Sequence, residues 1–312
     1  MQEKVDILLA TYNGERFLQQ QINSIFEQTH TNFFIYIRDD GSKDNTVSII
    51  KEYVQKYPDK IAIIEDNFGN LGVTQNFNEL MKYSTANYIA FSDQDDIWLP
   101  QKIEKSFNFL KEIEEKHNNL PAFVYSDMKI IDENDQLTHP SFWKLASLAP
   151  KYFTFNRLLM QSIPHGCTIL MNKKLKEIAF PIPQNAILHD HWLSLVSVNF
   201  GIAVPILEPL TLLRNHGANV TQRKTSNWKR LKRFYKNFDI KADYLKQLHL
   251  RIEQGKAFHQ QYFKQLNPEN QYILEQFLLL ETMSGWKRKM IYIKNKFYRT
   301  TFFHTLKMIW RA

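Results

Sequence analysis

Short apolar segments alternate with amphipathic segments through the first 92 residues of this 312-residue chain. Four apolar runs, at 5–10, 33–38, 61–64 and 88–92, have the length and composition of strands that are buried on both faces. Between them, at 15–28, 45–57 and 73–83, apolar residues recur at helical spacing. Because short links join strand to helix three times, the pattern predicts an α/β fold with a mostly parallel, doubly wound sheet.

The pattern continues beyond residue 92 and is then replaced by helices. We predict helices over 99–116 and from 189 to about 200, and strands over 122–126, 167–171 and 203–207. From residue 227 onwards the sequence is helical, with no β-branched runs. We therefore predict an α/β domain over 1–220, followed by a helical, basic region over 221–312.

Positive charge is concentrated in that C-terminal region. Residues 220–312 contain 20 Lys and Arg against 6 Asp and Glu, a net charge of +14, so residues 1–219 carry −6 of the total of +8. A basic region of this kind favours nucleic acid, anionic lipid or an anionic substrate. The single cysteine, Cys167, excludes an intramolecular disulfide and fits a reducing compartment. The sequence contains no run of 18 apolar residues, so we predict no membrane span.

Polar turns follow three of the predicted strands. They have the sequences Thr11-Tyr12-Asn13, Asp39-Asp40-Gly41-Ser42 and Asp93-Gln94-Asp95-Asp96. Because the C-terminal ends of parallel strands meet at one sheet edge, we expect these turns to converge into a site. A helix that starts near Gly14 and Glu15 would favour a bound anion there.

The third turn places three carboxylates within four residues. Such anions raise one another's pKa and repel, unless a cation lies among them. Carboxylate oxygens suit a hard divalent ion, Mg²⁺ or Mn²⁺, which would neutralise a leaving diphosphate. A solvated acidic loop is the alternative interpretation, although Ile97 and Trp98 follow at once. The sequence lacks the glycine-rich dinucleotide motif, the P-loop and the spacing of structural zinc ligands.

These turns, in this order, closely resemble the family 2 glycosyltransferases with the A-type fold. The resemblance covers roughly residues 1–220 and includes a further loop, Asn70-Leu71-Gly72. Two stretches, 92–98 and 213–220, resemble the bacterial rhamnosyltransferases of surface polysaccharide synthesis most. The resemblance implies a nucleotide-sugar pocket lined by Thr11, Tyr12, Asn13, Glu15, Asp39, Asn70, Gly72 and Asp93. It also implies a metal site formed by Asp93, Asp95 and His216.

Alternative roles remain open for several of these residues. Tyr12 could be a packing aromatic, and Asn70 and Gly72 could serve only to shape their loop. Asp39 would accept from the pyrimidine edge, but turn capping is the alternative. We assign Asp40 and Asp44 to capping.

The resemblance also implies a catalytic base, Asp190, at the start of a predicted helix. A base needs a pKa near the working pH and hydrogen-bond reach to the acceptor hydroxyl. A first-turn acid stabilised by the helix dipole is the alternative, and it would be a weaker base. On the acceptor or sugar side we place Asp96, Trp98, His165 and Trp192, with structural roles open for His165 and Trp192.

The resemblance implies an inverting, metal-dependent transferase. Its donor would be dTDP-rhamnose, and its acceptor a polyprenyl-diphosphate-linked glycan at the cytoplasmic face of the membrane. The alternatives are a hexosyltransferase that uses a UDP-sugar, a sugar-nucleotide nucleotidyltransferase, and an inactive glycan- or lipid-binding module.

Cations and aromatic residues interleave at 228–235 and 286–292, as in helices that lie on anionic membranes. Solvated helix faces and homo-oligomerisation are the alternatives to membrane binding. We expect no nucleic-acid binding, because no fold of that kind is indicated.

Overall fold

The computed structural model describes residues 2–216, 237–299 and 305, with the backbone alone for residues 237–243. The chain forms two compact units. The first consists of Met1–Ala146, Pro164–Gln184 and Leu188–Arg214. The second consists of Ser147–Ile163, Asn185–Ile187 and Asn215–Ala312, so it also includes two short segments that precede residue 220.

A single sheet forms the centre of the first unit. Its strands, within the described residues, are β1 Val5–Thr11, β2 Phe33–Asp39, β3 Ile61–Ile63, β4 Tyr88–Asp93, β5 Ile97–Trp98, β6 Ala122–Ile131, β7 Leu137–His139, β8 Leu170–Asn172 and β9 Ile202–Arg214. Their order is β3-β2-β1-β4-β8-β6-β9-β5, and β7 pairs with β6. Only β5, β7 and β8 run against the others among these strands, so the prediction of a mostly parallel α/β fold is confirmed.

Helices cover the sheet and form most of the second unit. In the first unit they are α1 Leu18–Phe26, α2 Thr46–Lys56, α3 Val73–Tyr83, α4 Lys102–Lys116, α5 Phe142–Ala146, α7 Lys173–Ala179 and α8 His189–Phe200. In the second unit they are α6 Phe155–Leu158, α9 Asn237–Tyr262, α10 Pro268–Leu278 and α11 Gly285–Lys294. The predicted helical C-terminal region is therefore confirmed. The basic segment 228–235 lies outside the described residues.

The central strand β1 is buried on both faces, as its mostly apolar sequence predicts. Val5, Ile7 and Leu9 pack in a core with Leu18 and Ile22 of α1. Residues between them on β1 are also buried, and α3 packs against β1 and β2. Each fully buried aliphatic side chain contributes roughly 1.5–3 kcal/mol, so this packing fixes the strands and with them the ends of the strands.

Helix and strand ends differ from the predictions where tertiary contacts decide them. Helix α4 begins at Lys102, because the Leu99 N–H donates to the Leu210 carbonyl (3.1 Å) and prolongs the pairing of β5 with β9. The predicted strand over 167–171 is reduced to β8. Its first residues form a turn instead, in which the Ile169 N–H donates to the Gly166 carbonyl (2.9 Å).

The second unit is built on packed helices. Apolar residues of α9 and α10, among them Phe258 and Phe277, are fully buried. Of the helices in the described ranges, none has both the length and the apolarity that a membrane span requires.

Candidate active site

The turns after β1 and β4 are joined by one side chain. In register, Thr11 of β1 lies beside Asp39 of β2, and Ala10 lies beside Asp93 of β4. The Tyr12 N–H donates to Gln94 Oε1 (2.7 Å), and Gln94 Nε2 donates to the Tyr12 carbonyl (2.9 Å). The three turns therefore do meet at one edge of the sheet.

A side chain at position 14 would displace the Gln94 amide from its hydrogen bonds to Tyr12. A Cβ on Gly14 would lie 2.3 Å from Gln94 Oε1, far inside van der Waals contact. Asn13 next to it has a φ of 49°, a left-handed conformation that asparagine adopts more readily than most residues. The Tyr12 side chain is left 46% exposed, so its ring can contact a ligand at this edge.

The Asp39 carboxylate organises the turn after β2. Its Oδ1 accepts from the hydroxyls of Thr11 (2.9 Å) and Ser42 (2.5 Å). Its Oδ2 accepts from the backbone N–H groups of Gly41 (3.1 Å) and Ser42 (2.7 Å). About four lone-pair sites are available on a carboxylate, so all of them are engaged. To accept from a pyrimidine, Asp39 would have to release one of the two hydroxyls.

Asn13 and Glu15 tie the first turn to the second. The Asn13 N–H donates to Ser42 Oγ (2.7 Å), and the Lys43 N–H donates to Asn13 Oδ1 (2.8 Å). Glu15 Oε2 accepts from the Asn45 N–H (2.9 Å) at the start of α2. Both residues therefore hold the turn after β1 against the turn after β2.

Asp40 is buried and fixes the loop before α3. It accepts from Arg38 Nη1 (2.8 Å) and from the backbone N–H groups of Leu71 (2.8 Å) and Gly72 (2.8 Å). Gly72 has a φ of 76°, which favours glycine, and Asn70 beside it is exposed. Asp40 thus fixes the loop that leads into α3, but among the described residues it makes no hydrogen bond to the first turn of that helix.

The turn after β4 contains carboxylates that lack such compensation. Burial, followed by the charges of Asp96, Asp95 and Asp190, raises the pKa of Asp93 well above its usual range. Asp96 is 1% exposed, and its Oδ2 has no hydrogen-bond partner among the described residues. Single oxygen or sulfur atoms of Asp93, Asp96 and Cys167 lie within 4.8 Å of one another. This is an anionic cluster in a poorly solvated place.

Lys102 lies beneath this cluster and is also buried. Its ammonium lies 3.9 Å from the centroid of the Trp98 ring and has no hydrogen-bond partner within the described parts of the chain. Burial lowers the pKa of Lys102 to about 8, while the charges of Cys167 and Asp96 oppose that shift. Trp98 is 2% exposed, so its ring packs against Lys102 and has almost no surface left for an acceptor.

Arg214, the last residue of β9, supports the acidic turn from the other side. Its backbone N–H donates to Asp96 Oδ1 (3.3 Å), and its Nε donates to the Asp95 carbonyl (3.0 Å). The guanidinium also stacks on Phe17, with 4.4 Å between its carbon and the ring centroid. The conformation of the turn is therefore set by side chains from distant parts of the sequence.

Asp190 begins α8 and is 6% exposed. Its Oδ2 accepts from the Gly166 N–H (3.1 Å), whereas Oδ1 has no partner in the described structure. Burial raises the pKa of Asp190 to about 7, against the lowering effect of backbone N–H groups. Asp190 is also close enough to Asp93 to raise its pKa. The two carboxylates therefore share one electrostatic site.

The neighbouring residue, His189, is held in an apolar cleft. Its ring centroid lies 4.2 Å from that of Phe77 and 4.9 Å from that of Phe91. Burial lowers the pKa of His189 to about 3, which keeps the ring neutral. A Cβ on Gly166 would lie 2.1 Å from His189 Nε2, so only glycine allows the backbone to approach Asp190 here.

Other expected site residues have different surroundings. Trp192 is fully buried and donates its indole N–H to the Ala179 carbonyl (2.9 Å), so it has no surface to offer a sugar. His165 is half-buried against Phe142, with 4.6 Å between ring centroids. His216 belongs to the second unit, and its place among metal ligands stays a prediction.

Four residues of the site were not among those expected from the sequence. Gln94 and Arg214 lie inside motifs that the sequence had already indicated. A polar side chain between two aspartates, or a lone arginine in such a motif, was the signal that could have identified them. Cys167 was interpreted for its redox meaning and as part of a segment on the acceptor side, but not as a neighbour of the acidic turn. Lys102 gave no signal, because a lysine near the start of an amphipathic helix is ordinarily solvated.

The chemistry of this site fits a hard divalent cation. The Asp93 and Asp96 carboxylates converge, and one buried oxygen of Asp96 lacks a partner, as expected where a ligand belongs. Carboxylate oxygens are the ligands that Mg²⁺ and Mn²⁺ prefer. Burial raises the pKa of the Cys167 thiol well above its usual range, which disfavours the thiolate that a soft ion requires. Asp95 lies in the same turn and is half-buried.

This sheet, with acidic turns at the C-terminal edge and a helical appendage, has the A-type fold of glycosyltransferases. Residues 1–349 of TarS from S. aureus superpose with a TM-score of 0.55 at 15% identity, over 94% of this chain and 78% of that one. The mannosyltransferase PcManGT from Pyrobaculum calidifontis, solved with GDP-Man and Mn²⁺, gives 0.57 at 12% identity, over 95% and 80%.

Residues 6–189 match the family model described as glycosyl transferase family 2, so the chain belongs to that family. Putative glycosyltransferase EpsE of Bacillus subtilis is 35% identical over 42% of this chain and 45% of its own length. The dTDP-rhamnosyl transferase RfbG of Shigella flexneri is 34% identical over 53% and 54%. WfgD of Escherichia coli, named a UDP-Glc:alpha-D-GlcNAc-diphosphoundecaprenol beta-1,3-glucosyltransferase, is 28% identical over 62% and 70%. The chain therefore spans about half the length of the first two relatives.

Proposed function

We propose that this protein is an inverting, metal-dependent glycosyltransferase in which Asp190 is the general base. The observation that supports this most is the state of the Asp190 carboxylate. It is buried, one oxygen accepts from the Gly166 N–H, the other has no partner among the residues that the structure describes, and its pKa is raised to about 7. A general base is most effective when its pKa lies near the working pH.

The reaction is a single displacement. Asp190 Oδ1 takes the proton of an acceptor hydroxyl while that oxygen forms a bond to the anomeric carbon of the donor. The bond between that carbon and the diphosphate oxygen breaks at the same time, and its electron pair leaves with the nucleoside diphosphate. The configuration at the anomeric carbon is inverted. Neutral His189, wedged beside Asp190, contributes no competing positive charge.

Asp93 and Asp95, with His216 as a further ligand, are the proposed holders of Mg²⁺ or Mn²⁺, and the Asp96 carboxylate, which converges with that of Asp93, lies beside them. When bound, the ion supplies positive charge that stabilises the leaving diphosphate. The raised pKa of Asp93 supports this assignment, because a divalent cation would relieve the repulsion that causes part of it. Mn²⁺ in the mannosyltransferase of the same fold is consistent with that choice.

The proposed donor is dTDP-rhamnose, held by the turns that contain Thr11, Tyr12 and Asp39. Its support is the similarity to RfbG, together with the Asp93 to Trp98 sequence. A UDP-hexose is the alternative, supported by the similarity to WfgD. A nucleotidyltransferase is disfavoured, because the turn at Thr11 lacks the glycine-rich, arginine-containing loop of that class.

A panel of nucleotide sugars tests the proposal. Thermal shift and donor hydrolysis would be measured for dTDP-rhamnose, UDP-glucose, UDP-GlcNAc and GDP-mannose, each with Mg²⁺, with Mn²⁺ and with chelator. We expect dTDP-rhamnose to give the largest metal-dependent shift and hydrolysis. A larger response to a UDP-sugar would transfer the assignment to the hexosyltransferase alternative. No response to any donor with either ion would contradict the glycosyltransferase itself.

The proposed acceptor is a polyprenyl-diphosphate-linked glycan, and the proposed location is the inner face of the cell membrane. Helix α11 supports membrane contact. Trp286, Met290 and Ile293 recur at helical spacing and are 69%, 45% and 48% exposed, with Lys287 and Lys289 between them. An exposed apolar row flanked by cations is typical of interfacial helices.

Vesicle sedimentation tests this contact. We expect Trp286→Ser with Met290→Ser to reduce binding of the protein to vesicles that contain anionic phosphatidylglycerol. Leu207→Ser, which removes an 81% exposed leucine from β9, is the matched control. Equal sedimentation of all proteins would argue for the alternatives, a solvated face or an oligomer contact.

A further inference from the structure

Two arginines of the helical unit, Arg251 of α9 and Arg288 of α11, have no carboxylate partner. No salt bridge joins either guanidinium to an acidic group among the described residues. The Nε atoms of both are buried and have no hydrogen-bond acceptor there. Lys256, further along α9, differs because it pairs with Glu253 (2.8 Å) and Glu281 (2.7 Å).

The two arginines flank one pair of tyrosines. The hydroxyls of Tyr244 on α9 and Tyr292 on α11 lie 2.5 Å apart, which fixes these faces of the two helices towards each other. Arg288 precedes Tyr292 by four residues and so shares its face. Arg251 Nη1 donates to the Gln247 carbonyl (3.0 Å), which directs this side chain back along α9 towards Tyr244.

The charges of both guanidinium groups act on the Tyr292 hydroxyl. Tyr292 is fully buried, and burial raises its pKa, while the charges of Arg288 and Arg251 act in the opposite direction. Burial also lowers the pKa of Arg251, and only the two tyrosines, not a carboxylate, offset this effect. Two cations are thus held around two hydroxyls, and no acidic side chain in the described part of the chain pairs with either cation.

Such an arrangement is costly without a ligand. A buried donor that lacks an acceptor destabilises a folded protein, and an unpaired charge does so more. Guanidinium groups donate in a planar fork that matches phosphate oxygens, and a tyrosine hydroxyl can add a further donor. Both arginines remain partly exposed overall, so an ion can reach them from solvent.

We infer that Arg251, Arg288, Tyr244 and Tyr292 form a binding site for a phosphate-class oxyanion in the helical unit. The ligand is a phosphomonoester, a diphosphate or a free phosphate ion. The site lies on the face of α11 opposite the exposed row of Trp286, Met290 and Ile293, because positions 288 and 292 are about half a turn away from that row. All four residues belong to the second unit.

Thermal stability and calorimetry with inorganic phosphate and pyrophosphate test this site. Chelator is present throughout so that no metal–diphosphate complex can form, and sodium chloride holds the ionic strength constant. We expect both anions to raise the melting temperature of the full-length protein. Arg251→Gln and Arg288→Gln should each weaken anion affinity by roughly tenfold or more, the loss expected for a charged hydrogen bond.

Lys287→Gln is the matched control, because it removes the same charge from the neighbouring, exposed position of α11. It should keep the affinity of the unmodified protein. Without anion, the two arginine variants should melt at the same temperature as the parent or higher, because each removes an unpaired charge. Should either fail to fold, Tyr244→Phe serves instead, since it deletes one hydroxyl without removing a charge. It should weaken anion binding severalfold.

Vesicles distinguish the possible sources of the anion. Sedimentation would compare phosphatidylcholine vesicles that contain phosphatidic acid, a phosphomonoester, with vesicles that contain phosphatidylglycerol. A greater loss of phosphatidic acid binding in the arginine variants than in Lys287→Gln identifies a lipid headgroup. Unchanged vesicle binding with weakened phosphate affinity identifies a soluble phosphate ligand. Equal anion responses in all variants, or no response of the parent to any probe, would overturn the site.

Discussion

The turns after β2 and β4 both present aspartates at the same edge of one sheet, but their carboxylates differ in hydrogen bonding. Asp39 accepts four hydrogen bonds, and Asp40 accepts from a buried arginine and from two backbone N–H groups. After β4, Asp96 has a buried oxygen with no partner in the described structure, and the pKa of Asp93 is raised well above its usual range.

This difference separates carboxylates that hold the backbone from carboxylates that can bind a ligand. A carboxylate whose lone pairs are all engaged holds the backbone in place and has little capacity for a ligand. A buried carboxylate with a free oxygen is held in a state that a cation, a proton or a substrate hydroxyl would relieve. Residue type and position at the sheet edge are the same in both turns. Only the count of donors around each oxygen tells them apart.

The largest expected effect is on kcat and concerns Asp190, a carboxylate with a buried oxygen that is unpaired within the described residues. Asp190→Asn should lower kcat by roughly a thousandfold, because an amide cannot accept the acceptor's proton, and general-base catalysis contributes about 10²–10⁴. The donor KM should change little, since no donor contact is removed. Steady-state kinetics and calorimetric donor binding check both statements. More than a tenth of the parent kcat would remove Asp190 from the role of base.

The next effect should be on the free energy of unfolding, and it concerns a carboxylate whose oxygens are hydrogen-bonded, Asp40. Asp40→Ala leaves Arg38 and the N–H groups of Leu71 and Gly72 without their acceptor. Removing one partner of a buried ion pair costs about 3 kcal/mol, at the lower end because Asp66 still pairs with Arg38. Urea unfolding measures the change. The control is Asp132→Ala, a partly exposed turn aspartate, which should cost much less; equal losses would erase the contrast between the turns.

The last effects concern pH and follow from the raised pKa of Asp190. Activity should rise with pH through an inflection near 7 as the base form appears. Stability should move the other way. Between the unfolded pKa near 3.9 and the folded pKa near 7, the folded state holds the Asp190 proton more tightly, so rising pH favours unfolding until about pH 7.

Asp190→Asn removes this term while Asp93 and Asp96 remain in both proteins. The variant should therefore match the parent near pH 4 and exceed its stability by roughly 4 kcal/mol at pH 8, because a rise in pKa from about 3.9 to about 7 on folding corresponds to that free energy. Thermal unfolding across this pH range provides the measurement. A parent that is the more stable at pH 8 would mean that the Asp190 carboxylate is compensated in solution.

The sequence predicted the alternation of strands and helices, and with it the sheet edge where the turns meet. That prediction succeeded because buried parallel strands have mostly apolar sequences, which can be recognised from a short stretch of the chain alone. Helix α4 and strand β8 were misplaced by a few residues because their ends depend on Leu210 and Gly166, contacts that no local pattern contains.

Side-chain surroundings were predicted less well than positions. Trp192 was expected near a sugar, but an aromatic residue at helical spacing has the same sequence pattern whether it faces the core or a ligand. Lys102 is buried under the acidic turn although its flanking sequence is that of an ordinary helix start. Such placements depend on the sum of tertiary packing, which only the folded chain reveals.

The side chain of Gln94 has a mechanical consequence. It is the middle residue of Asp93-Gln94-Asp95, and its amide meets the Tyr12 backbone at both N–H and carbonyl, as a neighbouring strand would. The two flanking carboxylates are therefore hinged to the turn that includes Tyr12. A nucleotide that shifts the Tyr12 turn would therefore move both carboxylates with it, so the turns after β1 and β4 are expected to move as one unit.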